Sequence, residues 1–127
     1  MNKNYQNSQV TYLKYLELDE AGDSISARHF LESAVYQGND MAMHALAYEL
    51  YNNEENVDEA LKLYRKAAKN GLTVSMLNLA RHYEKISNLK QYFFWLKKAA
   101  ILGDEQAIKE ILNPFPFNKE LRKRHKN

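Results

Sequence analysis

The chain has 127 residues, of which 45% are hydrophobic and 27% charged, and a formal net charge of +2 at neutral pH. That is enough for one compact domain with a real core, in the balance of an ordinary globular protein. The absence of cysteine excludes a disulfide scaffold, a thiolate metal site and a cysteine nucleophile.

Residues 1–7, Met1-Asn2-Lys3-Asn4-Tyr5-Gln6-Asn7, are polar and expected to be disordered. No apolar stretch follows Lys3, so a signal peptide is not expected and the reading is cytoplasmic. No run of about eighteen apolar residues occurs, so no membrane span is predicted. Apolar periodicity then predicts helices over 8–20, 26–37, 40–52, 58–70, 73–86, 89–102 and 104–112. In 58–70, for example, Ala60, Leu61, Tyr64, Ala67 and Ala68 fall on one helical face. Candidate N-caps are Ser26, Asp40, Asp58, Thr73, Ser87 or Asn88, and Asp104. Two-residue alternation and hairpin turns are missing, so no strand is predicted.

Three glycines punctuate this series. Gly38, Gly71 and Gly103 close the similar phrases Phe30–Gly38, Leu63–Gly71 and Trp95–Gly103, and they lie 33 and 32 residues apart. Each reads as a left-handed cap turning one helix into the next. A period in this range means stacked helical hairpins, each burying its apolar face against its neighbours. Ala34, Ala67 and Ala99 recur where helices cross closely, and Phe30, Leu63 and Trp95 recur eight residues before each glycine as core or seam.

The phrase from Asp58 to Gly71, DEALKLYRKAAKNG, resembles the second helix of a SEL-like repeat, a branch of the tetratricopeptide superfamily. Ser75–Tyr83 and Met41–Tyr51 resemble the first helix of that repeat. The resemblance covers about 8–112 and implies an all-α, right-handed α-solenoid of about three repeats with a C-terminal capping helix. The domain is placed at 8–117, between the short N-terminus and a basic tail at 118–127 that is likewise expected to be disordered. Two departures stand out. The loop Asn52–Val57 lacks the glycines usual in the family, and Lys14 and Glu17 occupy a small and an apolar position of the first repeat. Such decay suits a terminal repeat whose outer face meets water.

In that superfamily the first helix of each hairpin lines a concave groove. Carried over by register, the groove residues are Tyr12, Tyr15, His44, Tyr48, Tyr51, Asn78, Arg81, Lys85 and Lys109. The set is tyrosine-rich at one end and basic or polar at the other, which suits a protein or peptide bearing apolar and acidic groups. The competing reading is that individual tyrosines simply pack between helices.

No catalytic motif, phosphate loop or metal-ligand series occurs, and the four histidines stand at unrelated registers. No enzyme activity, metal or cofactor is therefore expected. Pro114-Phe115-Pro116-Phe117 stops the last predicted helix, and its phenylalanines are expected to fold back as a cap, with a docking motif or dimer contact as alternatives. The tail from Lys119 to Asn127 carries five cations and one carboxylate, net +4, leaving the body near −2. The resemblance implies a non-enzymatic adaptor or inhibitor, toxin-neutralising immunity proteins being among its relatives. A nucleic-acid-associated regulator acting through the basic tail ranks second. A monomer, or a weak homodimer through the solenoid ends, is expected.

Overall fold

A computed structural model describes the backbone of residues 3–126 and the side chains of residues 6–126. All regular structure among the described residues is α-helical: α1 (Lys3–Glu20), α2 (Ser24–Tyr36), α3 (Asp40–Asn52), α4 (Val57–Lys69), α5 (Thr73–Lys85), α6 (Leu89–Ile101), α7 (Glu105–Leu112) and α8 (Lys119–Lys126). Seven of the eight follow the predicted order within a few residues. Met1 and Asn2, in the segment expected to be disordered, lie outside the described residues, whereas Lys3–Asn7 form the start of α1.

The chain divides into two units, residues 1–72 and 73–127. In the first, α1 packs on α2, α2 on α3 and α3 on α4, so two antiparallel hairpins follow one another. In the second, α5 packs on α6 and α6 on α7. Consecutive pairing of this kind is the packing of a helical repeat.

Of the three residues expected in the core or seam, Leu63 and Trp95 are buried, while Phe30 is only half-buried. Ala34, Ala67 and Ala99 are fully buried. Their carbonyls accept the closing hydrogen bonds of the helix ends, from the backbone N–H groups of Asn39 (3.0 Å), Leu72 (3.1 Å) and Asp104 (3.1 Å). The residue before each donor is the glycine, left-handed at φ +88°, +99° and +91°. The two loops inside the second and third hairpins close in the same way without glycine. Glu54 (φ +54°) and Ser87 (φ +61°) take the left-handed position there, while Glu55 N–H donates to Leu50 O and Asn88 N–H to Tyr83 O.

Helix starts differ from expectation at four places. Thr73 is the first residue of α5 rather than its N-cap. Asp23, Asn39 and Asn56 cap α2, α3 and α4, rather than Ser26, Asp40 and Asp58. For α3 the reason is tertiary. Asn39 is buried, its Oδ1 accepts from Ala42 N–H at 2.9 Å, and its Nδ2 donates to Ser8 Oγ and Gln9 Oε1 of α1, both at 3.3 Å. One amide thus caps a helix and ties two helices together; a carboxylate could not donate those bonds.

The C-terminal segment is the largest departure. Residues 118–126, expected to be disordered, include α8. Asn118 Oδ1 accepts from Leu121 N–H at 3.1 Å as an N-cap. Leu121 is buried, Arg122 Nη2 donates to the carbonyls of Phe115 (3.3 Å) and Pro116 (3.0 Å), and the basic residues of the last turn complement the helix dipole. Phe115 folds back as expected. It is fully buried, stacks on Tyr92 at 4.8 Å between ring centroids, and meets the edges of Phe93 and His125. Phe117 does not join it and stays 76% exposed.

Candidate functional site: an aromatic face on the first unit

In the first unit, His44, Tyr48 and Tyr51 fall at i, i+4 and i+7 of α3 and so share one face. Tyr64, buried on α4, supports the two outer members, with ring centroids 5.5 Å from His44 and 6.5 Å from Tyr51. Tyr48 stands between them and is 56% exposed, while His44 and Tyr51 are half-buried. Burial holds the His44 imidazole below its ordinary pKa, which favours its neutral form. An exposed phenol ring flanked by rings held from below offers contact area together with a hydrogen-bonding tip.

Tyr12 and Tyr15 of α1 form a tilted pair at 5.6 Å. Their roles separate. Tyr12 is half-buried, but Tyr15 is buried and hydrogen-bonds Glu49 of α3. Burial, reinforced by the Glu49 and Asp19 charges, pushes the Tyr15 phenol up to about 12. Glu49 in turn lies 3.5 Å from Arg28 of α2, whose guanidinium also reaches Glu32 at 3.1 Å and Glu55 at 3.4 Å. Burial raises the Glu49 carboxyl against the opposing pull of Arg28. Tyr15 is therefore a strut between helices rather than a surface anchor.

The predicted residues of the second unit divide likewise. Lys85 and Lys109 are exposed, and Asn78 is half-buried. Lys109 lines a shallow cleft of about 230 Å³ with Gln106, Glu110, Asn113, Pro116 and Phe117. Arg81 is occupied internally. Its Nη1 donates to Glu84 Oε1 at 2.6 Å, and its Nη2 to Glu110 Oε1. The other Glu110 oxygen accepts from the Tyr92 hydroxyl at 2.7 Å, and that hydroxyl accepts Phe115 N–H at 2.9 Å. Both carboxylates are buried, and the Arg81 guanidinium lies 5.1 Å from the Phe117 ring centroid. Burial and the Glu110 charge raise the Tyr92 pKa, partly offset by the Phe115 N–H. The Arg81 pKa is also raised, because the two carboxylates outweigh its desolvation.

Sequence reasoning missed Glu84, Glu110 and Tyr92. A signal existed. Glu84 follows Leu79-Ala80-Tyr83 on the apolar face of its helix, and Glu110 shares a face with Ala107. A carboxylate at an apolar position requires a buried cation.

Among the described residues, no group of three or more His, Asp or Glu side chains is placed to hold a metal ion, and no helix is long and apolar enough to cross a membrane. No family model matches the chain, and no curated protein or solved structure gives a significant match.

Proposed function

We propose that the chain is a non-enzymatic protein-interaction module, an adaptor or inhibitor, that takes a protein or peptide partner on the α3 face of His44, Tyr48 and Tyr51. The observation that carries this reading is Tyr48, 56% exposed at the centre of the stripe and flanked by rings that Tyr64 fixes. Tyrosine in such a setting combines contact area with a hydrogen-bonding tip and is enriched among binding hot spots. The helical-hairpin packing and the SEL-like phrases support the same class, in which a dedicated one-partner inhibitor such as an immunity protein is the finer reading. Two phenols and an imidazole on one face offer a partner contact area and hydrogen-bonding groups.

The test is affinity capture with wild type and Tyr48→Ala, followed by binding measurements with each captured protein. Tyr48→Ala is expected to weaken a specific partner at least tenfold, in the range of a hot-spot residue, while helical circular dichroism stays unchanged. A partner held equally well by the variant overturns this site. Adding Lys85→Glu and Lys109→Glu tests whether the exposed cations steer an acidic partner; they are expected to slow association and to reduce its salt dependence.

The second reading, nucleic-acid association, draws on α8, where Lys119, Lys123, Arg124 and Lys126 are exposed. It requires retention on DNA or RNA at low salt that disappears when those four are replaced by Gln.

A further inference from the structure

One helix face in each unit is used neither by the packing nor by the aromatic site. On α1, Val10, Leu13, Glu17 and Glu20 fall at i, i+3, i+7 and i+10, a single stripe. Val10 is 67% and Leu13 62% exposed. Beside them Glu17, Asp19 and Glu20 are exposed, with Lys14 the nearby cation at 3.4 Å from Glu17. On α6, Lys90, Phe94, Lys97 and Ile101 fall at i, i+4, i+7 and i+11. With Phe93 and Lys98 they line a shallow groove of about 470 Å³. Phe94 is 47% and Ile101 84% exposed, and the sequence of α6 contains no carboxylate.

Both stripes hold aliphatic or aromatic side chains in water, and both mix them with charge, but of opposite sign. The asymmetry extends to the whole of each unit. Residues 1–72 hold 7 Lys and Arg against 11 Asp and Glu, net −4, and residues 73–127 hold 11 against 5, net +6.

We propose that the chain self-associates by docking the α1 stripe of one copy (Val10, Leu13, Glu17, Glu20) onto the α6 stripe (Lys90, Phe94, Lys97, Ile101) of a second. Apolar contact at Leu13 and Phe94 supplies the driving force. Carboxylates against lysines fix which faces meet. Two α6 stripes repel each other, and so do two α1 stripes, so symmetric pairing is disfavoured and the contact is heterologous. Each docked copy keeps one stripe free, so assembly goes beyond the dimer, as an open series or a closed ring. An acidic lipid surface would account for the lysines of α6 but would leave the exposed apolar residues of α1 without a role; a second copy covers both. This inference is independent of the α3 face, because Tyr48 belongs to neither stripe.

The experiment uses two variants, each blocked on one stripe: Val10→Glu with Leu13→Glu, and Phe94→Glu with Ile101→Glu. Circular dichroism first establishes that both fold, as expected for substitutions at exposed positions. Sedimentation velocity then reads mass. The wild type is expected to grow with concentration, and association to weaken at least tenfold as ionic strength rises from about 0.05 to about 0.5 M. Each variant alone is expected to be monomeric. Mixed, they retain one intact stripe each and should form a 1:1 dimer and nothing larger. A wild type that stays monomeric at low salt overturns the proposal. So does a wild type that associates while the mixed variants remain monomeric, since that places the contact on other faces. Binding to anionic vesicles through Lys90 and Lys97 without self-association assigns the α6 stripe to lipid and overturns it as well.

Discussion

Arg81 shows how one side chain can be read correctly for chemistry and wrongly for place. Its register on the first helix of a hairpin and its charge mark it as an anchor for an acidic partner, and it does bind carboxylates, but they are Glu84 and Glu110 of its own unit. Glu110 is 29 residues away in sequence, so no local pattern could aim the guanidinium. Removing it strands two buried carboxylates. Arg81→Ala is expected to cost about 3 kcal/mol in urea denaturation, the range for breaking a buried ion pair by one partner, whereas Lys85→Ala, on the exposed side of the same helix, should stay within about 0.5 kcal/mol. Tyrosine titration offers a second residue-scale test. The Tyr15 phenol is raised from 10.0 to about 12 in the folded chain, so the native state holds that proton more tightly than the unfolded state. Its contribution is fully present below pH 10 and is lost as pH rises towards 12. Unfolding free energy should therefore fall across that window, and Tyr15→Phe should flatten the fall. A tyrosinate absorbance titration in which every tyrosine ionises near its ordinary value would contradict this.

At the scale of elements, helix positions were legible because the apolar period and the glycine stops act locally. Helix ends were less so. Asn39 outcompetes Asp40 as a cap because its amide also donates to Ser8 and Gln9. Gly71 meets no atom within 4 Å of an added Cβ, so the whole cost of substitution lies in its φ of +99°. Gly71→Ala is expected to destabilise by about 1 kcal/mol, while Glu54→Gly and Ser87→Gly, which relieve left-handed non-glycine residues, should each stabilise by about 0.5–1 kcal/mol. Thermal unfolding should report these as shifts of about 3–5 °C in opposite directions. The α8 segment escaped sequence reading because its apolar content is one leucine, Leu121. Its helix depends on Asn118 and on the Phe115 and Pro116 carbonyls that receive Arg122. Phe115→Ala opens the stack against Tyr92 and is expected to cost about 3–4 kcal/mol, with loss of α8 helicity measurable by hydrogen exchange.

At the scale of the whole molecule, the chain is two helical units with opposite net charge. Trp95, the single tryptophan, is buried in the second. Its fluorescence reports that unit alone, while far-ultraviolet circular dichroism reports both. In Phe115→Ala the fluorescence transition is expected at lower urea than the circular dichroism transition, and coincident transitions would show that the destabilisation spreads through the whole chain. The sequence by itself determined the helical class, the left-handed helix stops at Gly38, Gly71 and Gly103 and the buried faces that carry Ala34, Ala67 and Ala99, because apolar periodicity and left-handed caps are set by residues near each other in the chain. Only the tertiary structure decided which predicted site residues remain available. Tyr48 is exposed, Tyr15 is bound to Glu49, and Arg81 is enclosed by Glu84 and Glu110. That outcome depends on partners brought in by other helices, because the cost of burying a charge or a phenol is settled by what packs around it.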